Sequence, residues 1–338
     1  MKRLLRPTLV IPVVLGAALV VAFLTIADVR KVFALALGFQ RAYLLYFFLL
    51  MLVYTLVRGV QWHYLLDRLD IRAPVRSQVF AFAVGEITKS LPIGNYFQNY
   101  LLKLSQGTNF ARSAVATTLI LATEVAVSLV ALLGLGLGDW SDWLRPAILI
   151  GTAAFVLLCV LITLLRGAAR LPVWFTRARA TQRFLAELEH YRGGVRALAR
   201  PRVLGVETVL CAIYLLTAAV GLYVIARGLG VTGLSLWQAA AVYFFSLAVG
   251  LILPLPVDFG VIEVSGIGAL LIFGVGDSAA VAIMLLNRVF STASAIVIAF
   301  AAIAVLRGEF VATLRAGSAR RDTRGTAGAR DAEPVRHA

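Results

Sequence analysis

Long apolar runs alternate with short polar connections along most of this chain. Several runs of about 20 residues are long enough to cross the hydrocarbon core of a bilayer as single helices. Because backbone polar groups must be satisfied internally in lipid, such runs predict helices. The predicted spans are residues 8–27, 42–62, 113–137, 146–165, 204–226 and 279–306.

Two further apolar segments, residues 78–102 and 237–273, are interrupted near their middle and lie at corresponding places in the two halves of the chain. Proline and glycine break a helix, so each segment is expected to form a re-entrant hairpin or two half-helices. The break residues are Pro92 and Gly94 in the first segment, and Pro254, Pro256 and Gly260 in the second.

The composition, 61% hydrophobic and 14% charged, predicts an all-α integral membrane protein without a separate soluble domain. We expect one polytopic transmembrane domain over residues 1–307, followed by a disordered basic tail over 308–338. The first run follows three basic residues and resembles a secretory signal. It is rather long and lacks a good cleavage site, so an uncleaved helix is favoured.

The net charge of +15 is carried mainly by arginines between the apolar runs, which does not favour nucleic-acid binding. By the positive-inside rule, the arginine-rich segment 166–202 and both termini are expected to be cytoplasmic in a cell-membrane protein. Contact of these arginines with anionic lipid headgroups is the alternative. The positive-inside orientation would place Arg30, Lys31 and Arg41 on the outer side, where basic residues are not expected. This conflict suggests that they lie in an interfacial amphipathic stretch.

These orientations place the two halves, residues 42–137 and 204–306, in opposite directions across the membrane. The second hairpin would enter from the side opposite to the first. This is the inverted-repeat arrangement of secondary transporters, with two re-entrant tips meeting near the middle of the membrane.

The second hairpin carries two carboxylates at its break. A helix that begins near Phe259 would have Asp258 as its N-cap and Glu263 in its first turns. The free N–H groups there favour an anion such as phosphate. A capped re-entrant helix without a ligand is the alternative.

Asn287 and Arg288 lie deep in the run 279–306, too far from its ends for the guanidinium to reach the interface easily. Arg288 therefore needs a negative partner. Glu263 is the natural partner within the protein, and a lipid phosphate is the functional alternative.

The first half carries charges as well. Glu86 and Lys89 have the i, i+3 spacing of a helical ion pair. Glu124, in the middle of a span, is expected to pair with a distant residue or to exchange protons. Arg58 and Trp62 are expected to anchor the membrane interface, and Glu207 to lie at a helix end.

These residues predict a polar cavity between the hairpins that binds a lipid headgroup. Its expected lining is Lys89, Gln98, Glu124, Asp258, Glu263, Asn287 and Arg288. Candidate proton carriers are Glu86, Glu124 and Glu263. No metal-ligand spacing occurs among the three histidines, and no cofactor is expected. Cys159 and Cys211 lie within apolar runs and are expected to be buried thiols.

The motif from Pro254 through Glu263, with Phe273, Gly274, Asn287 and Arg288 after it, resembles the flippase-like membrane family related to the transmembrane region of lysylphosphatidylglycerol synthases. The earlier family motif is degraded. Asn95 and Gln98 stand where the family has glutamate and arginine, and Val125 and Ser128 replace a second arginine and an aspartate. The resemblance implies lipid translocation, without the synthases' soluble aminoacyl-transferase domain.

The favoured function is a lipid translocase for a polar or phosphate-bearing headgroup, rather than an enzyme. Anionic phospholipids, polyprenyl phosphates and hopanoid-type lipids are the candidate partners. Without a Walker-type phosphate loop, an ion or substrate gradient would supply the energy. The alternatives are a non-transporting partner of a glycosyltransferase or lipid-modifying enzyme, and a membrane enzyme acting on lipid phosphates.

Overall fold

A computed structural model describes residues 28–89, 94–135, 191–252, 260–308 and 311, and these are helical apart from short turns. The α-helices are α1 (Val29–Leu37), α2 (Arg41–Arg68), α3 (Val75–Thr88), α4 (Phe97–Gln106), α5 (Phe110–Leu135), α6 (Pro201–Gly228), α7 (Leu236–Ile252), α8 (Val261–Ile272) and α9 (Asp277–Val305). A 3₁₀ turn, Gly94–Tyr96, precedes α4, and residues 191–198 are also helical.

Helices α2, α5, α6 and α9 are 26 to 29 residues long and apolar enough to cross a membrane. They confirm four of the predicted spans, and α2 continues six residues beyond the predicted end at Trp62. The spans at 8–27 and 146–165 lie outside the described residues. So do the tail beyond residue 311 and most of the segment 166–202.

The outward face of α2 is a stripe of exposed apolar side chains at helical spacing. Its members are Leu45, Leu49, Val53, Leu56 and Val60. An exposed apolar surface of this extent is costly in water and favourable in lipid. The stripe therefore supports a membrane environment for this helix.

The basic stretch that was difficult to orient from sequence is the helix α1. Asp28 caps it by accepting the backbone N–H groups of Arg30 and Lys31. Arg30 and Lys31 are exposed while Val32 is buried, and the helix packs against α9. The predicted amphipathic character is thus present, and its position at the membrane interface is still a prediction.

Each broken segment consists of two short helices packed against one another, α3 with α4 and α7 with α8. Glycine permits the close approach in both pairs, since a Cβ on Gly85 would lie 2.7 Å from the Cβ of Gln98 and one on Gly250 would lie 2.5 Å from Ile262. At the first break, a Cβ on Gly94 would overlap the carbonyl oxygen of Thr88. Pro92, Pro254 and Pro256 lie outside the described residues.

The second break shows one correction to the predicted capping. Helix α8 begins at Val261 with Gly260 as its N-cap, whereas Asp258 was expected in that role. Gly260 has a φ of +100°, a conformation that side-chain-bearing residues rarely adopt. The Glu263 carboxylate accepts the Gly260 N–H at 2.7 Å, which fixes Glu263 at the start of the helix.

The two halves repeat the same order of elements: a long helix, two short helices and a second long helix. Helix α2 packs against its counterpart α6. Helix α5 of the first half packs against α7 of the second, and its counterpart α9 likewise packs against α3 of the first half. In the same way, α5 packs against α6, and α9 packs against α2. Exchanging the halves therefore leaves this packing arrangement unchanged.

Helices α2 and α6 are antiparallel. The backbone N–H of Gln40, just before α2, donates to the carbonyl of Gly228 at the end of α6. Gln61, near the other end of α2, bonds to Glu207 near the start of α6. Between these contacts, the rings of Tyr54 and Tyr214 meet edge to face at 5.3 Å.

Candidate functional site

A cavity of about 210 Å³ lies between the two halves, with α2, α3 and α5 on one side and α6, α7, α8 and α9 on the other, and charged groups stand in its largely apolar wall. Both hairpins contribute side chains to its wall, including Asn95 beside the first break. The charged residues that line it are Arg58, Glu86, Lys89, Glu124, Glu263 and Arg288.

Arg58 is the centre of the charge cluster on the first side. Its guanidinium lies 3.2 Å from Glu124 and 3.9 Å from Glu86, and donates to the Tyr54 hydroxyl at 2.7 Å. It also lies 5.6 Å from the centre of the Tyr214 ring, a cation–π contact. Only 7% of Arg58 is exposed, so these partners replace its hydration.

The hairpin pair Glu86 and Lys89 is formed, as their i, i+3 spacing predicted. The Lys89 ammonium donates to the Glu86 carboxylate, and it also lies 5.4 Å from the centre of the Tyr54 ring. Lys89 follows the last residue of α3, so its charge lies at the broken end of that helix. Its side chain is 22% exposed, whereas that of Glu86 is 6% exposed.

On the side of the cavity formed by the second half, Arg288 and Glu263 form the ion pair that was expected from sequence. Arg288 Nε on α9 lies 3.5 Å from Glu263 Oε1 on α8. Because the other Glu263 oxygen accepts the Gly260 N–H, the carboxylate links the break, the guanidinium and the wall of the cavity. The Arg288 side chain is 23% exposed and that of Glu263 is 7% exposed.

The structure brings most of the predicted residues together. Lys89, Glu124, Glu263, Asn287 and Arg288 all line the cavity, together with the proton-carrier candidate Glu86. Asp258 lies outside the described residues.

Gln98 was wrongly expected to line the cavity. It is buried against α5, where its amide donates to the Thr117 hydroxyl at 3.2 Å. The neighbouring Asn99 donates to the same hydroxyl at 2.7 Å. Both amides therefore stabilise helix packing rather than face the cavity.

Two expectations for α2 were wrong. Arg58 and Trp62 were assigned to the membrane interface, but they are only 7% and 1% exposed. The signal that could have located Arg58 is the pattern Tyr54, Arg58, Gln61, which places three polar side chains on one helical face. That face packs against α6 and leads into the cavity.

Glu207 was expected at a helix end, but it lies six residues inside α6, which begins at Pro201. Its relative exposure is 0%, and its Oε1 accepts a hydrogen bond from the Gln61 amide at 2.7 Å. It does not line the cavity, but lies on the same face of α6 as Tyr214, two turns away. Tyr214 in turn donates to Glu124 at 2.7 Å.

The site combines balanced charge with unequal exposure. Among the described residues, three cations and three carboxylates line the cavity, so their formal charges balance. The carboxylates and Arg58 are buried, while Lys89 and Arg288 are the most exposed of these six side chains. An anionic group in the cavity would therefore meet an ammonium from one half and a guanidinium from the other.

Fold and site together define a polytopic, all-helical membrane protein with a charged cavity between two broken hairpins. The chain belongs to the family described as the lysylphosphatidylglycerol synthase TM region, whose model matches residues 9–299. Searches of curated proteins and of solved structures found no match.

Proposed function

We propose that this protein is a translocase that moves lipids with a phosphate-bearing headgroup between the leaflets of the cell membrane. The headgroup would pass through the cavity while the acyl or prenyl tails stay in the bilayer. The observation that carries this proposal is the position of Lys89 and Arg288, two partly accessible cations supplied by opposite halves to one cavity. The family description, which names a phospholipid synthase, is consistent with a lipid ligand.

The buried carboxylates explain how such cations persist within a membrane. Glu86 neutralises Lys89, and Glu263 neutralises Arg288, so neither charge is isolated when no ligand is bound. A phosphate can then share each cation without a large net charge in the cavity. A site of this kind binds an anion moderately and can also release it, as transport requires.

The lengths of the hairpin helices support re-entrant segments. At 1.5 Å per residue, α3 and α8 are about 21 and 18 Å long, which is less than the ~30 Å of the hydrocarbon core. Each hairpin would reach the cavity and return. Free helix ends near the middle of the membrane would add backbone N–H groups to the site.

An inverted repeat is supported by the packing of the halves. Exchange of the halves preserves the helix contacts described above, as expected for a two-fold relationship. Since the counterparts α2 and α6 are antiparallel, this axis would run perpendicular to them and parallel to the membrane plane. Tyr54 and Tyr214, which meet midway along these helices, would lie near the axis. Such symmetry suits a site that opens alternately to the two sides.

Native mass spectrometry of the purified protein, followed by liposome assays, tests the proposal. The spectra are expected to show a retained phospholipid or polyprenyl phosphate. The same lipid, labelled on its headgroup, is then expected to cross liposome bilayers faster with the protein than without it. Equal rates would contradict translocation. Retention of a partner enzyme together with an unchanged crossing rate would favour the non-transporting alternative.

A further inference from the structure

Glu207 on α6 differs from the carboxylates of the cavity, because no described residue is its cationic partner. Glu86, Glu124 and Glu263 each lie within 4 Å of an arginine or lysine nitrogen. Glu207 is fully buried, and within the described part of the chain it forms no ion pair. An ionised carboxylate in such a place would lose its hydration with no cation to balance its charge.

A proton on Glu207 would allow hydrogen bonds with Gln61 to compensate for the burial of its carboxyl group. The Gln61 amide nitrogen donates to Glu207 Oε1, which leaves two buried acceptors of this pair, Glu207 Oε2 and Gln61 Oε1, without a donor. A proton on Glu207 Oε2 would make the acid a donor to the amide carbonyl. One proton would thus satisfy both acceptors and close a reciprocal acid–amide pair.

A chain of polar side chains leads from Glu207 toward the cavity. Cys211 and Tyr214 follow on the same face of α6, at i+4 and i+7. The Cys211 thiol lies 3.5 Å from the Tyr214 hydroxyl, and this hydroxyl donates to Glu124 at 2.7 Å. Glu124 lines the cavity and pairs with Arg58.

Few charged groups lie near Glu207 in the part of the chain that the structure describes. Those that act on it electrostatically are Arg58 on α2 and Glu124 on α5. Arg58 is already engaged by two carboxylates, so it does not serve as a dedicated partner. Within the described parts of α7 and α9, which also pack against α6, no charged side chain forms an ion pair with Glu207.

We propose that Glu207 binds a proton on Oε2 in this conformation and couples lipid movement to the proton gradient, a role that rests on the translocase function. For release, this proton would turn from the Gln61 carbonyl to the Cys211 sulfur, which lies one helical turn further along the same face of α6. The thiol proton would move to the Tyr214 oxygen, and the tyrosine proton to Glu124. Glu207 is left ionised, the intermediates are restored, and one proton arrives at the cavity.

Protonation of Glu124 has a direct consequence for the headgroup. A neutral Glu124 no longer balances Arg58, so the guanidinium becomes available to an anion entering the cavity. Loss of the lipid would favour deprotonation of Glu124 and return of the ion pair. Proton movement and headgroup binding are thereby linked through Arg58.

Infrared difference spectroscopy of the full-length protein in lipid nanodiscs tests the protonation. The wild type at neutral pH is expected to show the carbonyl stretch of a protonated carboxyl. This band should disappear in Glu207→Gln and persist in Asp67→Asn, which alters an exposed carboxylate on α2. Gln61→Met keeps Glu207 and should shift the band, so the assignment does not depend on one variant. A wild type without the band overturns the proposal.

Liposomes with an imposed pH gradient and clamped voltage test the coupling. For one proton per lipid, a gradient of one pH unit supports a leaflet asymmetry of up to about tenfold for a labelled phospholipid. Glu207→Gln resembles the protonated acid, and its asymmetry is expected to be independent of the gradient. A gradient response equal to that of the wild type overturns the coupling. If the wild type moves no lipid, both the translocase function and its coupling to protons are contradicted. The infrared band then still shows whether Glu207 is protonated.

Discussion

The guanidinium of Arg58 lies 3.2 Å from the carboxylate of Glu124, and this pair joins α2 to α5 in the interior of the protein. Arg58 is 7% exposed and Glu124 is 3% exposed. Glu86 contacts the same guanidinium from α3 at 3.9 Å, so one arginine connects the first hairpin to two long helices. The position of the hairpin relative to the cavity therefore depends on Arg58.

Replacing Arg58 should destabilise the fold strongly. Arg58→Met leaves Glu124 buried without a cation, which is expected to cost about 3–5 kcal/mol of unfolding free energy. The double variant Arg58→Met/Glu124→Gln removes the stranded charge and should recover much of this loss. Unfolding of the purified protein in mixed detergent micelles measures both effects.

Arg68→Met is the matched control, because Arg68 lies on the same helix but is exposed and stacks on Tyr64. Its effect should stay below about 1 kcal/mol. A loss in Arg58→Met no larger than in Arg68→Met would show that the buried cluster contributes little to stability.

The tip of the first hairpin should not tolerate a side chain at Gly94. A Cβ there overlaps the Thr88 carbonyl oxygen, and backbone atoms cannot move aside as a flexible side chain can. We expect Gly94→Ala to lower the stability by about 3 kcal/mol. Gly134→Ala is the control, since its Cβ would meet nothing within 4 Å. Thermal unfolding curves of the two variants that coincide would refute this packing.

The orientation in the membrane can be tested in the segment 166–202. In a background with Cys159→Ala and Cys211→Ala, an added Arg179→Cys should react with an impermeant maleimide only after cells are permeabilised. The connection at residues 138–143 carries Asp139 and Asp142 and is predicted to face outside, so Ser141→Cys should react in intact cells. Reaction of Arg179→Cys from outside would reverse the proposed topology.

Sequence predicted the long helices well because their apolar runs are long and nearly free of charge. It also predicted the pairs Glu86 with Lys89 and Glu263 with Arg288, since a charge deep in an apolar run needs a partner. The interface role assigned to Arg58 was wrong because the predicted span ended at Trp62. Helix α2 continues to Arg68, so Arg58 is ten residues from its end.

The environments of Gln98 and Glu207 depend on contacts that are distant in sequence. Gln98 faces Thr117 on α5, and Glu207 faces Gln61 from the other half of the chain. No local pattern specifies which helices meet, so neither environment follows from periodicity alone. The antiparallel contact of α2 with α6 determines that Gln61 and Glu207 are partners.

Translocation of a labelled phospholipid or polyprenyl phosphate by Arg288→Ala in liposomes tests the central claim most directly. Arg307→Ala is the control, because Arg307 lies just beyond α9, is exposed and does not line the cavity. If headgroups pass through the cavity, Arg288→Ala should fold but lose at least about tenfold in rate, equivalent to roughly 1.4 kcal/mol, and Arg307→Ala should match the wild type. Equal rates for Arg288→Ala and the wild type would contradict the account.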